Sequence, residues 1–220
     1  MPNLISSDRF GIVTGLAAEA RLARPLGMVM AGGGTPDGAR NAAEALVRQG
    51  ATALLSFGLA GGLNPTLRPG TLIIPAEVVT EAGVLRTSAA LTRALGGPIH
   101  TLFAGTALVT TADQKSRLRT ATGADAIDLE SGAVGEVAAA HGLRFAVLRA
   151  ICDASETTLP PAAVIALDAA GAIAPLRVAT SVLRHPAQLP ALVRLARDAA
   201  RARAALLRHV RTLLLQTKIG

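Results

Sequence analysis

The sequence contains no tryptophan or tyrosine, four phenylalanines, and a single cysteine at position 152. One cysteine excludes an internal disulfide, and it favours a reducing compartment. The shortage of aromatic rings argues against RNA binding, because single-stranded nucleic acids are bound largely by stacking bases on aromatic side chains. Nucleic acid is therefore not an expected partner.

Long apolar runs are also missing, although 50% of the residues are hydrophobic. No stretch approaches the roughly 20 uninterrupted apolar residues that a membrane-spanning helix requires. The start, MPNLISSDRFGIV, lacks the basic and then apolar organisation of a signal peptide. We therefore expect a cytoplasmic protein, long enough at 220 residues to bury one large core.

The net charge of +7 is confined to the end of the chain. Residues 1–174 carry 13 basic and 14 acidic side chains, a balance of −1, whereas residues 175–220 carry 9 basic side chains and only Asp198 as an acid, a balance of +8. A basic C-terminal element is therefore predicted, and a global basic surface is not. We interpret residues 1–220 as a single domain, with residues 175–220 as its basic helical C-terminal element.

Short apolar runs alternate with helical patterns through the first two thirds of the chain, and several of the runs end at glycine. The predicted strands are residues 10–14, 28–31, 53–57, 71–79, 107–110, 125–129 and 145–151, with another near Leu102 or Phe103. A helix is predicted after Thr35 and a second one from Ser131, as its capping residue, to His141. This alternation predicts a three-layer α/β/α fold with a mostly parallel, mixed central sheet.

Four segments place chemically capable residues where predicted strands end, which is where ligand sites of α/β sheets form. They are Glu19 beyond the first strand, the loop Gly58–Gly62, the segment Asp128–Ser131, and the segment Arg149–Asp153. A glycine loop lets a ligand approach backbone N–H groups, and carboxylates stabilise a developing cation or transfer protons. Cleavage of an N-glycosidic bond needs these functions, because the sugar becomes cationic and the base leaves protonated.

Each acid also has an ordinary structural interpretation. Glu19 alone fits an acid in the first turn of a helix, where the helix dipole stabilises it. Asp153 alone fits a turn cap. Of Asp128 and Glu130, we expect at most one to line a site, with Asp128 in a structural or solvated position. Cys152 is interpreted as a small buried hydrophobe, because no histidine is placed by sequence to activate it.

Together the four segments resemble the nucleoside phosphorylase superfamily, and particularly its methylthioadenosine/S-adenosylhomocysteine nucleosidase branch. The stretch SFGLAGGLNPTLRPGTLIIP is similar to that family's strand–glycine–turn signature, and DLES followed by VLRAICD is similar to its ribose-and-base signature. The resemblance runs from about Gly11 to Asp153 with order and spacing broadly kept. It implies a phosphorylase/hydrolase-like fold, a purine nucleoside substrate, no metal or organic cofactor, and a homodimer.

The resemblance also implies a role for each matching residue. Asp153 would donate a proton to N7 of the departing base, and Glu19 would activate the attacking water. Glu130 would bind the ribose hydroxyls and favour the cationic sugar. The other substrate-binding positions that it implies are Leu129 at the sugar, where the family usually has methionine, and Leu59, Ala60 and Gly61 beneath the sugar and base. Arg149 would help to orient the end of the Asp153 strand.

The nucleophile is open between water and phosphate. Glu19 favours water, because a carboxylate would repel phosphate. Gly33 and Gly34 precede a helix and could cradle an anion on backbone N–H groups, with Arg40 nearby as the candidate cation. We expect hydrolysis, and a phosphorylase that uses phosphate as co-substrate is the alternative.

The C-terminal segment combines apolar residues at near-helical spacing with six arginines. Residues 187–217 could lie on an anionic membrane, or pack their apolar side on the domain and leave the arginines in solvent. This segment and CDASETTLPPAAVIALDAAG resemble the nucleosidase/phosphorylase associated with hopanoid biosynthesis. That resemblance implies a lipid-linked nucleoside, adenosylhopane, as the substrate and adenine as the product. A nucleoside- or lipid-binding module without turnover is the non-enzymatic alternative.

Overall fold

The structure is a computed structural model that describes residues 9–164, 180–181 and 183–219. The part of the hopanoid-type stretch beyond Val164, and residues 175–179 of the predicted basic element, lie outside the described residues. None of the helices in the described part of the chain is long and apolar enough to cross a membrane.

Strands and helices alternate along the described chain as predicted. The strands are β1 (Phe10–Thr14), β2 (Met28–Ala31), β3 (Ala53–Gly62), β4 (Leu72–Ile73), β5 (Glu77–Thr80), β6 (Gly83–Arg86), β7 (Leu102–Ala104), β8 (Ala126–Asp128) and β9 (Arg144–Asp153). The α-helices are α1 (Ala17–Ala23), α2 (Pro36–Arg48), α3 (Ala89–Ala94), α4 (Ala112–Thr122), α5 (Ser131–Ala140), α6 (Pro161–Val164) and α7 (Leu189–Ile219). Two 3₁₀ turns occupy Arg24–Leu26 and Pro186–Gln188.

Within the described residues, nine strands form one mixed sheet in the order β2-β1-β3-β8-β7-β5-β6, and β9 pairs with β3 and β4. β3 lies parallel to β1 and to β9, and its last residues pair antiparallel with β8. The pairs β4–β9 and β5–β6 are also antiparallel. The predicted mixed sheet is confirmed.

Helices cover both faces of this sheet. On one face, α2 and α5 pack through small apolar residues on a cluster that includes Leu54 of β3. On the other face, α1, α3 and α7 pack on a cluster that includes Leu55 and Phe57 of the same strand. Alternate residues of β3 thus serve opposite layers, as the pleat of a strand requires. The predicted three-layer α/β/α architecture is confirmed.

Two predicted strands differ from the observed ones. Residues 107–110 are not a strand, because the chain leaves the sheet after β7 and Thr110 and Thr111 bond to the side chain of Gln114 at the start of α4. The predicted strand 71–79 is divided into β4 and β5 by Pro75, which has no N–H to donate to a ladder.

Helix α7 uses its apolar side inside the protein. Ala202, Leu206, Val210 and Leu213 are at most 2% exposed and belong to the cluster beneath β9. Residues 202–213 therefore cannot insert this apolar side into a membrane. The prediction that the helix lies on a membrane through its apolar side is wrong for these residues. The exposed arginines of α7 point to solvent on the opposite side.

Candidate active site

The predicted acids lie where β1, β3 and β9 end at the same edge of the sheet. β3 and β9 are parallel neighbours, in register from Ala53 opposite Arg144 to Gly61 opposite Asp153, with one irregularity after Ala60. β1 is parallel to β3 on its other side and ends at Thr14, five residues before Glu19. The topology therefore brings distant segments of the sequence to one place.

Glu19 stands in the first turn of α1 and is 2% exposed. Its Oε2 accepts a hydrogen bond from the Leu16 N–H (2.8 Å), which closes the first turn of the helix. Its Oε1 accepts one from the Leu59 N–H on β3 (3.1 Å), so the carboxylate also reaches the glycine loop. Burial raises the pKa of Glu19, against the opposing effect of Arg149. The helix-acid interpretation alone does not account for the contact with β3.

The guanidinium of Arg149 lies at the centre of the acids and is 1% exposed. Its Nη2 lies 2.7 Å from Oε2 of Glu130, and its Nε lies 2.7 Å from Oδ2 of Asp128. Further hydrogen bonds run from Nη2 to the Ser56 hydroxyl (2.6 Å) and from Nη1 to the Leu59 carbonyl (3.3 Å). Burial opposes the charge, but the surrounding carboxylates raise the pKa of Arg149 on balance. Arg149 therefore orients Glu130 and Asp128, and none of these contacts is with Asp153.

Glu130 and Glu19 converge on one point beside Gly15. A Cβ atom at Gly15 would overlap Oε1 of Glu130 and lie 3.4 Å from Oε2 of Glu19. Burial raises the pKa of Glu130 to about 7, with Arg149 opposing and the charges of Asp128 and Glu19 adding to the rise. The two carboxylates therefore share a region of strong negative potential, and a glycine keeps it free of side-chain atoms.

Asp128 and Glu130 both contact Arg149, and Asp128 has the structural position that the sequence predicted as one of two alternatives, buried and not solvated. Residues two apart on a strand share a face, and Glu130 already lies beyond β8 as the N-cap of α5. Ser131 is not the cap that the sequence predicted. Its hydroxyl bonds to Asp128 and to Ser56 (2.9 Å) and braces the acid behind the site.

Asp153 ends β9, is 6% exposed, and forms an ion pair with the buried Lys115 of α4. The Cys152 thiol donates to its other carboxylate oxygen (3.2 Å). Burial and the neighbouring Asp153 raise the pKa of Cys152 well above its ordinary value. Cys152 therefore stays a neutral thiol, in line with its interpretation as a packing residue.

The sequence analysis missed Lys115. A signal was present, because only two of the 22 basic residues are lysines, Lys115 and Lys218. A lysine in a chain that otherwise uses arginine indicates a position where the compact ammonium is needed.

The residues predicted to lie beneath the sugar and base, Leu59, Ala60 and Gly61, are near the end of β3. Leu59 contacts both Glu19 and Arg149 through its backbone, and Ala60 is 3% exposed. A Cβ atom at Gly61 would lie 3.5 Å from Oδ1 of Asp153, so glycine leaves this side of the carboxylate open. Leu129 is half-buried, next to Glu130.

The candidate phosphate-binding residues lie after β2. Gly33 and Gly34 have positive φ angles of 76° and 75°, which glycine adopts without strain. Arg40 forms an ion pair with Glu136 of α5, so its charge is already compensated. A phosphate site at Gly33 and Gly34 stays a prediction. Its candidate cation, Arg40, is already paired with Glu136.

Solved structures of this architecture include several nucleoside-cleaving enzymes. A 5′-methylthioadenosine/S-adenosylhomocysteine nucleosidase described as putative, from Francisella philomiragia, is 18% identical, with a TM-score of 0.67 over 93% of this chain and 97% of that one. Futalosine hydrolase of Helicobacter pylori is 14% identical, with a TM-score of 0.65 over 92% and 97%. The S-adenosylhomocysteine nucleosidase from Streptococcus pyogenes is 14% identical, with a TM-score of 0.64 over 92% and 96%. These similarities establish the fold.

No protein of curated function has a significantly similar sequence. The family described as the phosphorylase superfamily matches residues 11–184, which is most of the chain. The protein therefore belongs to the phosphorylase superfamily.

Replacing Arg149 by methionine should lower the free energy of unfolding by about 3–5 kcal/mol, because buried carboxylates would lose their cation. The loss should be smaller at pH 5 than at pH 8, since the orphaned carboxyls can take up protons. Urea unfolding at both pH values measures it. Arg117→Met is the control, because Arg117 pairs with Asp113 on the surface and such pairs contribute about 0–1 kcal/mol. Equal losses in the two variants would contradict the central role of Arg149.

The raised pKa of Glu130 predicts that stability falls as pH rises. Folding moves this pKa from its ordinary 4.5 to about 7, so the folded protein binds the proton more tightly than the unfolded chain. Between these two values the free energy of unfolding should fall by up to about 3 kcal/mol on this account. Glu130→Gln should flatten that part of the pH–stability curve measured by urea unfolding, whereas the exposed Glu136→Gln should leave it sloped. An unchanged slope in Glu130→Gln would contradict the prediction.

Proposed function

We propose that the protein is a nucleosidase that hydrolyses the N-glycosidic bond of a purine nucleoside. The observation that supports this most directly is the convergence of Glu19 and Glu130 on one point beside Gly15, with Asp153 at the end of the strand next to the glycine loop. Two buried carboxylates that converge on one point, with a third buried acid at a neighbouring strand end, suit a reaction in which positive charge develops on the sugar.

In this proposal, Glu130 binds the ribose hydroxyls and its negative charge stabilises the cationic sugar. Arg149 fixes the orientation of Glu130 through the 2.7 Å ion pair, and its positive charge favours the ionised form of Glu130. Glu19 accepts a proton from the attacking water, and its raised pKa suits a general base better than that of an exposed glutamate. Asp153 donates a proton to N7 of the departing base. Leu129, Leu59, Ala60 and Gly61 would line the sugar and base.

Water is the proposed nucleophile. Glu19 and Glu130 make the region beside Gly15 negative, and a phosphate dianion there would be repelled. The candidate phosphate cation, Arg40, is held by Glu136. Phosphorolysis through Gly33, Gly34 and Arg40 remains the second candidate, with the positive-φ glycines in its favour.

Adenosylhopane is the proposed natural substrate, with adenine as the released base. The support is the resemblance of the C-terminal sequence to the nucleosidase/phosphorylase associated with hopanoid biosynthesis. Methylthioadenosine/S-adenosylhomocysteine nucleosidase activity is the alternative. A similar Helicobacter pylori nucleosidase, 15% identical, was solved with 5′-methylthioadenosine in the active site. We further propose a single domain over residues 1–220, a cytoplasmic location and a homodimer.

Contact with a membrane would bring such an enzyme to a lipid-linked nucleoside. The apolar side of α7 is committed to the core from Ala202 to Leu213, so the contact would be electrostatic. It would use the exposed arginines of α7, which are Arg194, Arg197, Arg201, Arg208 and Arg211. Each basic residue near an anionic surface contributes about 1 kcal/mol, and salt screens this contribution.

Base release should be tested with methylthioadenosine, adenosylhomocysteine, inosine and adenosylhopane, each with and without phosphate. We expect adenine release without phosphate, and a strict phosphate requirement would select the phosphorylase instead. Asp153→Asn should lower kcat by about 10²–10⁴-fold, the usual contribution of a general acid or base. Asp125→Asn is the control, because the side chain of Asp125 bonds to Arg119, Asn64 and Thr101 and to none of the proposed catalytic acids. Binding of a nucleoside without any base release would support the non-enzymatic module.

The arginine surface of α7 predicts salt-sensitive binding to anionic vesicles. Replacing Arg194, Arg197 and Arg211 together by glutamine should weaken sedimentation with phosphatidylglycerol vesicles by about 100-fold at low salt. The control changes the same charge elsewhere, by replacing the exposed Arg86, Arg93 and Arg117. Equal weakening in both triple variants, or no binding by the unaltered protein, would remove the membrane contact from the proposal.

A further inference from the structure

The ammonium of Lys115 is surrounded by three oxygen acceptors and is 1% exposed. It contacts Oδ2 of Asp153, the Ala154 carbonyl at 2.8 Å and the Thr157 carbonyl at 2.9 Å. A neutral amine has only two N–H groups, so three acceptors around one nitrogen match the charged form. The side chain is therefore held as a fixed positive charge at the end of β9.

The type of residue matches this geometry. Twenty of the 22 basic residues in the sequence are arginines, yet this buried position has a lysine. The planar fork of arginine cannot direct three N–H groups to acceptors that surround one point, whereas an ammonium can. The composition of the chain therefore does not explain the lysine at 115. The three acceptors around its ammonium do explain it.

Both carboxylate oxygens of Asp153 accept hydrogen bonds. Lys115 donates to Oδ2, and the Cys152 thiol donates to Oδ1 at 3.2 Å. A protonated carboxyl would have to use one of these oxygens as a donor. A buried carboxylate in contact with an ammonium is also favoured in its ionised form. The geometry therefore describes an ionised Asp153 in the free protein.

We propose that Lys115 is a positioning residue that holds Asp153 as a carboxylate, so that the site prefers bases with a hydrogen-bond donor at position 7. The inference rests on the proposed function, because it requires Asp153 to face the base. A natural purine has a lone pair on N7, and two lone pairs cannot face each other without a proton between them. One proton from solvent must then enter with the substrate, between N7 and the carboxylate.

Two uncleaved isomers provide a matched test. 9-Deazaadenosine has an N7–H donor, 7-deazaadenosine has a C7–H in its place, and both have the same ribose. The isomers therefore meet the other nearby titratable groups equally, namely Glu19 and Glu130 at the sugar, Cys152, and Glu156, whose pKa Lys115 helps to lower. The difference between the isomers isolates the charge of Asp153.

Isothermal calorimetry of the full-length protein, in two buffers of different ionisation enthalpy, gives affinity and proton exchange together. The unaltered protein should bind 9-deazaadenosine about 10–100-fold more tightly than 7-deazaadenosine, the range expected for a hydrogen bond to a charged group. The two isomers should exchange equal numbers of protons. Release of one extra proton with 9-deazaadenosine would overturn the inference, because Asp153 would then have been protonated.

Lys115→Met and Lys115→Gln remove the cation beside Asp153, and a buried carboxyl without a cation favours its neutral form. The affinity ratio should fall about tenfold, and 9-deazaadenosine should release close to one more proton than its isomer. Arg119→Met is the control on the same helix, since it breaks an ion pair with Asp125 and should change neither quantity. An unchanged ratio and an unchanged proton count in both Lys115 variants would overturn the inference.

The unaltered protein keeps the test decisive if the Lys115 variants do not fold, because its own ratio and proton count are sufficient. Binding of both isomers with a ratio near one overturns only the role of Lys115. Failure of either isomer to bind, together with full base release by Asp153→Asn, overturns the proposed function as well.

Discussion

The burial of one guanidinium among three carboxylates is the constraint on which the rest of this structure depends. Arg149 is removed from water, so its charge has to be compensated by protein groups, and Asp128, Glu130 and Glu19 supply that compensation. Asp128 and Glu130 come from the end of β8, and Glu19 comes from α1. Correct folding of the strands and correct assembly of the acids are therefore one event, because a misplaced strand would leave a buried charge alone.

Excess negative charge is a consequence of this arrangement. Burial is the main cause of the raised pKa values of Glu19 and Glu130, and the charges of Asp128 and Glu19 add to the rise at Glu130. An incoming group with positive character would relieve the repulsion between these acids. Enzymes use such preorganised charge where an opposite charge develops in the transition state.

Much of the site could be predicted from the sequence, because strands and their ends are local signals. Glu19, Glu130 and Asp153 stand next to apolar runs that end in glycine or acids, and parallel strands bring such ends together. Lys115 and Ser56 could not be predicted in this way. Lys115 reaches Asp153 across 38 residues of sequence, and Ser56 reaches Arg149 across 93, so only tertiary packing reveals the contacts.

The fold was predicted at the level of layers and less well at the level of boundaries. The alternation of apolar runs was sufficient for the sheet and its two covering layers. Residues 107–110 were assigned to a strand because their composition is apolar, but competition from the cap of α4 decided their structure. Pro75 divided a continuous apolar run, and Ser131 bonded to Asp128 instead of capping a helix. Hydrogen-bond competition of this kind is not visible in hydrophobic periodicity.

Helix α7 packs beneath β9, so the C-terminal segment supports the strand that carries two of the buried charged residues. Leu206 and Val210 pack with Ala146, Leu148 and Ala150 on the strand that carries Arg149 and Asp153. A shortened protein that lacks this helix would expose the back of its own catalytic strand. The arginine-rich segment thus supports the sheet with one side and presents a charged surface with the other.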